Sequence, residues 1–270
     1  MLLEALLEER PEETPERPEK NPVLYVKTRT IRSGSLTEVE CYPVYIGAYR
    51  RTLAATKPTN EAMQIVNDRN AKKRFQRLAE CNFRAGQDYA LSLTYEGKAP
   101  DDWESCNRDL RNYINRVNRA RKKLGLEKAR YIGVIEKGEL GRLHHHLLIE
   151  GGLDRDIMEQ LWGKGIANCD RIQQSKGGLA ALTVYFVKRF SAKRAKGRHR
   201  YIYSRNLRKP KVTESKTRIS RRQAERIRED ADLEGAQIIR RKYPDKVIEE
   251  INVKQSEWIP GCYITVRMRT

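Results

Sequence analysis

The stretch Arg130–Glu150, RYIGVIEKGELGRLHHHLLIE, restricts the fold more than any other part of the chain. Arg130–Glu136 and Arg142–Ile149 are rich in β-forming residues, and Lys137–Gly141 between them is a turn with glycines at both sides, so the segment predicts a β-hairpin. The second strand holds three of the chain's four histidines in a run that otherwise reads as buried. An unpartnered imidazole taken out of water costs free energy, so these side chains call for something to bind. Side chains alternate along a strand, which puts His144 and His146 on one face and His145 on the other with Leu143 and Leu147. A hairpin that closes with Glu136 roughly opposite Arg142 adds Glu136 to the face of His144 and His146. Two imidazoles and a carboxylate leave coordination positions open, as a catalytic metal site requires. A hard oxygen substrate favours Mg2+ or Mn2+, although imidazole also accepts zinc, and a His-x-His pair on a strand can also be non-catalytic.

The remaining pattern alternates strands with helices. Strands are expected at Leu24–Thr30 and Glu38–Tyr45, and a helix from Asn60 to Glu80 with Met63, Val66, Phe75 and Leu78 as its apolar stripe. Tyr89–Tyr95, YALSLTY, reads as a strand, and Asp101-Asp102 caps a helix running to about Leu124. A short helix over Asp154–Trp162, a strand over Gly165–Ile172 and a helix over Ser175–Phe190, entered through two glycines, follow the hairpin. Ala236–Thr270 predicts a helix and strands near Val247–Val253 and Tyr263–Arg269.

The formal net charge of +19 points to a polyanionic partner, nucleic acid first. Much of it lies between Lys188 and Arg228, where Glu214 and Glu225 are the only acids and Tyr201 and Tyr203 are interleaved. Phosphates could be held there and unpaired bases stacked on the tyrosines. No apolar window is long enough for a bilayer, and the acidic opening lacks the basic start of a signal peptide, so a cytoplasmic protein without a membrane partner is expected. Five widely spaced cysteines without a CxxC pair predict ordinary reduced thiols.

Tyr185 and Lys188 lie three residues apart on a predicted helix, so phenol and ammonium can address one point. With the histidine strand they suggest phosphodiester chemistry, because tyrosine attacks phosphorus competently when a metal polarises the phosphate oxygens and a cation steadies developing charge.

Glu136, the His144-x-His146 strand and the downstream Tyr185-x-x-Lys188 helix resemble the HUH endonucleases, in particular the rolling-circle replication initiators of single-stranded DNA phages and small plasmids. Tyr89–Tyr95 is similar to the family's first motif, and the resemblance covers about Tyr89 to Pro210. It implies an α+β fold in which a central antiparallel sheet is flanked by helices, HUH/RRM-like, with accessory N- and C-terminal segments. His144, His146 and Glu136 would be the metal ligands, Tyr185 the nucleophile and Lys188 an aid at the phosphate. The implied substrate is single-stranded DNA at a replication origin, joined through a 5′-phosphotyrosine, with a host helicase and polymerase as partners in a bacterial cytoplasm. Many phage initiators carry a second tyrosine four residues after the first, where this chain has Arg189.

The expected organisation is a flexible tail over residues 1–22, an N-terminal accessory segment over 23–80, the endonuclease domain over 81–212 and a basic helical and C-terminal segment over 213–270. Expected DNA contacts are Arg189, Lys193, Arg194, Arg198, Arg200, Tyr201, Arg205 and Arg208. A hydrolytic nuclease without a covalent intermediate and a non-catalytic DNA-binding protein are the alternatives.

Overall fold

A computed structural model of the chain describes residues 24–45, 60–97, 99–138, 141–173, 175, 177–187, 200–255 and 261–270. These residues form an α+β fold with two five-stranded sheets, in two compact units.

One unit holds a sheet in the order β8-β1-β2-β10-β9. Its strands are β1 (Leu24–Ser33), β2 (Leu36–Tyr45), β8 (Lys211–Ser215), β9 (Val247–Gln255) and β10 (Cys262–Arg269). The predicted strands of both chain ends are present and belong to this one sheet. Val39, Cys41, Ile264, Val266 and Met268 pack against Ile227, Ile238 and Ile239 of the helices α5 (Arg221–Glu229) and α6 (Ala236–Lys242). Helix α5 opens with a capping box, in which Ser220 and Gln223 satisfy each other's backbone N–H groups.

The other unit carries the histidine strand. Its sheet runs β6-β3-β5-β4-β7, with β3 (Tyr89–Leu93), β4 (Tyr131–Lys137), β5 (Leu143–Ile149), β6 (Ala167–Arg171) and β7 (Ile202–Tyr203), and every pairing is antiparallel. Helices cover both faces. On one, Leu110, Tyr113, Ile114 and Val117 of α2 (Trp103–Lys123) and Met158 of α3 (Arg155–Gln160) bury Leu91, Leu147 and Ile149, with the fully buried Trp162 among them. On the other, Phe75, Leu78 and Ala79 of α1 (Asn60–Asn82) and Phe186 and Val187 of α4 (Ala180–Val187) bury Ile132, Val134 and Leu148. A strand covered on both faces must be apolar at nearly every position. The Leu147–Ile149 run meets that demand, and the histidines before it are the departure.

Details differ from the sequence pattern in ways that backbone chemistry explains. Helix α2 starts at Trp103 because Asp102 accepts from the Ser105 N–H at 2.7 Å, satisfying one orphan donor of the first turn. Of the apolar stripe expected on α1, Phe75 and Leu78 are buried while Met63 and Val66 are exposed. Helix α4 begins only at Ala180, because Gly178 takes φ +60°, a left-handed conformation that the helix cannot contain.

The hairpin register is corrected. Glu136 pairs with His144, not Arg142, and Lys137 pairs with Leu143. The Gly138 N–H donates to the Arg142 carbonyl at 2.8 Å, so the turn closes two residues further along than the pattern implied. A slip of two leaves every side chain on its expected face. Gly133, opposite Leu147, is required by the close approach of the strands, since a Cβ there would lie 2.6 Å from the His146 carbonyl oxygen.

All five cysteines carry free thiols, and among the described residues no helix is long and apolar enough to cross a membrane.

Candidate metal centre

Strands β4 and β5 bring Glu136, His144 and His146 together on the face covered by α1 and α4. Glu136 Oε2 lies 3.9 Å from His144 Nε2 and 3.5 Å from His146 Nε2, and one ligand atom from each residue falls within 4.8 Å of the others. The two imidazole rings are 4.8 Å apart at 87°, an edge-to-face pair that directs the rings differently around shared space. His144 and Glu136 are partly exposed and His146 is buried, so the group opens to solvent on one side.

His146 Nε2 is buried without a hydrogen-bond partner. An orphaned ring nitrogen of this kind carries a desolvation cost unless something binds it. Burial, and then the neighbouring His144, push the His146 pKa down to about 4, so at neutral pH its ring is uncharged. A neutral imidazole is the form that ligates metals. Two neutral nitrogen donors and one carboxylate fit a divalent metal.

Helix α4 places Tyr185 beside this group. Thr183, Phe186 and Val187 turn into the protein, which leaves Tyr185 on the flank of the helix, 56% exposed. Its ring lies 5.5 Å from the His146 ring, nearly perpendicular, and Phe186 lies 5.7 Å from the same imidazole. Glu136, His144, His146 and Tyr185 thus share one open place. Lys188, Arg189, Lys193, Arg194 and Arg198 lie outside the described residues.

The other proposed nucleic-acid contacts are dispersed. Arg205 and Arg208 are exposed on the segment after β7. Arg200 pairs through Nε with Asp68 of α1, and Tyr201 packs edge-on against Phe75 at 5.5 Å. Tyr203 is exposed.

His145 faces the opposite way, as alternation requires. It is fully buried beneath α2, with its ring 5.6 Å from Trp162 and Nε2 3.0 Å from the Tyr95 hydroxyl. Tyr95 donates in turn to Asp109 Oδ2 at 3.3 Å, and Lys164 pairs with Asp109 Oδ1 at 3.1 Å. Since Tyr95 spends its proton on Asp109, the bond to His145 assigns the imidazole proton to Nε2. The sequence pattern did not reveal this relay, because its members come from four separate segments with no shared motif. It also missed Ser92, which β3 sets directly beside His146 in the ladder. Gly138 was legible only as a turn residue, yet a Cβ there would press to 3.3 Å from His144 Cε1.

A family model described as a replication-associated protein of the ORF2 kind matches residues 88–194, a span that runs from β3 to beyond α4 and includes the metal group and Tyr185. No curated protein and no solved structure matches the chain. The family likeness supports a role in the initiation of replication. Such a role is compatible with an enzyme and with DNA at an origin as its partner.

Proposed function

We propose that the chain is a metal-dependent, site-specific single-stranded DNA endonuclease and strand-transfer protein of the HUH type, which initiates rolling-circle replication through a 5′-phosphotyrosine. The observation that carries this reading is the position of Tyr185, exposed beside His146 on the face that gathers Glu136, His144 and His146. The replication-associated family match over the same residues supports it.

Glu136, His144 and His146 would hold Mg2+ or Mn2+, which when bound supplies charge stabilisation at a phosphate oxygen. The Tyr185 phenol oxygen attacks the phosphorus of one phosphodiester. The new bond joins that oxygen to the 5′-phosphate while the bond to the 3′-oxygen breaks, and the proton lost by the phenol is balanced by the one gained at the 3′-hydroxyl. A 5.5 Å separation of rings leaves space for a phosphate between the imidazole and the phenol. Lys188, one turn after the tyrosine, steadies the developing charge. Arg205 and Arg208, with the basic residues 189–198, hold flanking phosphates, and Arg200 and Tyr201 border the same strand. The released 3′-hydroxyl is a primer for a host polymerase working with a host helicase, and return of a 3′-hydroxyl to the phosphotyrosine recircularises the product. With Arg189 where a second tyrosine can stand, termination uses a further subunit or nucleophile.

The test is a denaturing gel of the full chain incubated with Mn2+ and single-stranded DNA from its own replicon, comparing it with Tyr185→Phe. A slow, protease-sensitive protein–DNA band that the variant lacks is expected. Cleavage without the band would establish the hydrolytic reading, and cleavage preserved in Tyr185→Phe would refute the nucleophile.

A further inference from the structure

Strand β4 is only partly covered on its outer side. Strand β7 pairs with it at Ile132 and Gly133 and ends there, so among the described residues the edge from Val134 onward has no strand partner. Beside this edge lies a groove of about 600 Å³, formed by the first half of α2, the α2-facing side of β4 and residues 200–203. Its walls include Trp103, Tyr131 and Tyr203, together with Arg111 and Arg200, and Glu104 is the one acid among them. None of these residues belongs to the metal group. The groove follows the same strand as Glu136, because Ile135 lines it and the next residue faces the metal side.

We propose that this groove takes the unpaired bases of single-stranded DNA next to the phosphate held at Glu136, His144 and His146. The inference rests on the nuclease reading above and adds the path of the substrate. Its lining combines what single-strand binding needs, flat aromatic faces with cations near them. Tyr203 presents a ring that is 46% exposed, and Trp103 is only partly packed against Ile135 and Leu143. Arg111 acts electrostatically on Tyr131, which places its guanidinium over that end of the groove. Arg200 contributes a guanidinium already oriented by Asp68. Glu104 offers an acceptor to the exocyclic amine of cytosine or adenine.

The strand geometry supplies the path. From Tyr131 to Ile135 the groove extends roughly 13 Å at the usual rise per residue. A DNA strand that crosses the unpaired rim of β4 passes from this groove to the opposite face, where Glu136 stands. A duplex keeps its bases stacked inside and cannot offer them to such a slot, so the groove selects unpaired DNA.

The test uses the full chain in EDTA, so that cleavage does not intervene, with an oligothymidylate, its duplex and an iodouracil-substituted single strand. Tyr203→Ala and Trp103→Ala each weaken single-strand binding about tenfold and leave duplex binding unchanged. Tyr203→Phe, which keeps the ring, retains the parent affinity, and Tyr203 is exposed enough for its variants to fold. Irradiation of the iodouracil strand links it to peptides containing Trp103 or Tyr203. Unchanged affinity in both alanine variants, or cross-links confined to peptides outside the groove, overturns the proposal. The two readings separate cleanly, since a parent chain that forms the covalent adduct while the groove variants bind normally loses only the groove. Groove variants that lose single-strand affinity in a chain that never forms an adduct retain the groove and refute the nickase.

Discussion

His145 and His146 are neighbours on one strand, both buried and both with pKa values pushed to about 4 by burial, yet the two faces of the sheet give them opposite roles. Behind the sheet, His145 passes its one proton to Tyr95, which passes its own to Asp109, and the ring is wedged against Trp162. In front, His146 finds a carboxylate at 3.5 Å, a second imidazole and an exposed phenol, with no hydrogen bond to its buried Nε2. Burial and a perturbed pKa are common to both. What separates a packing histidine from a candidate ligand is the set of groups that converges on it and the access left to solvent.

The largest expected effect comes from exchanging the two. His146→Ala should weaken Mn2+ binding in calorimetry by at least about a hundredfold, with little loss of stability. His145→Ala should leave Mn2+ affinity within about twofold and cost roughly 3 kcal/mol in denaturant unfolding, since it empties a fully buried site. If both variants bound metal equally well, the distinction between the faces would be broken.

Next comes pH. Both folded pKa values lie below the 6.5 of a free histidine, so between about 6.5 and 4 the unfolded chain binds more protons than the folded one. The stabilisation is complete above 6.5 and is lost as pH falls towards 4, by roughly 2–3 kcal/mol for each ring. In metal-free protein His145→Phe should remove about half of that slope, as measured by urea unfolding across the window. An unchanged slope would mean that His145 titrates normally.

A smaller loss is expected where both faces depend on one backbone contact. Gly133→Ala places a Cβ 2.6 Å from the His146 carbonyl oxygen and 2.8 Å from Leu147 Cγ. It should cost about 2 kcal/mol and weaken Mn2+ binding as well, because β5 must move. The smallest change sharpens the comparison from behind. Asp102→Ala removes the cap of α2, costing about 1 kcal/mol in thermal unfolding with Mn2+ affinity unaltered.

The metal face was legible in the sequence because it is local. Glu136, His144 and His146 belong to one hairpin, and parity alone fixes which of them can meet, so a register two residues off did not disturb the grouping. Tyr185 was legible as a helical position, and its meeting with His146 depends on how α4 packs over the sheet. The back face was not legible, since Tyr95, Asp109 and Lys164 reach His145 only after α2 and the loop before β6 have docked. Nor could local pattern show that Leu24–Tyr45 and Val247–Arg269 build one sheet, because pairing between distant strands leaves no periodic trace. In the basic segment, composition indicated charge without direction. The fold turns Tyr201 inward against Phe75 and leaves Tyr203 outward.

The most direct measurement is peptide mapping by mass spectrometry of the parent chain after reaction with Mn2+ and its origin single strand. Trypsin releases Gly177–Lys188, GGLAALTVYFVK, in which Tyr185 is the only tyrosine. This peptide should carry the 5′-phosphorylated nucleotide. A nucleotide on any other peptide, or cleaved DNA with no modified peptide, would contradict Tyr185 as the nucleophile.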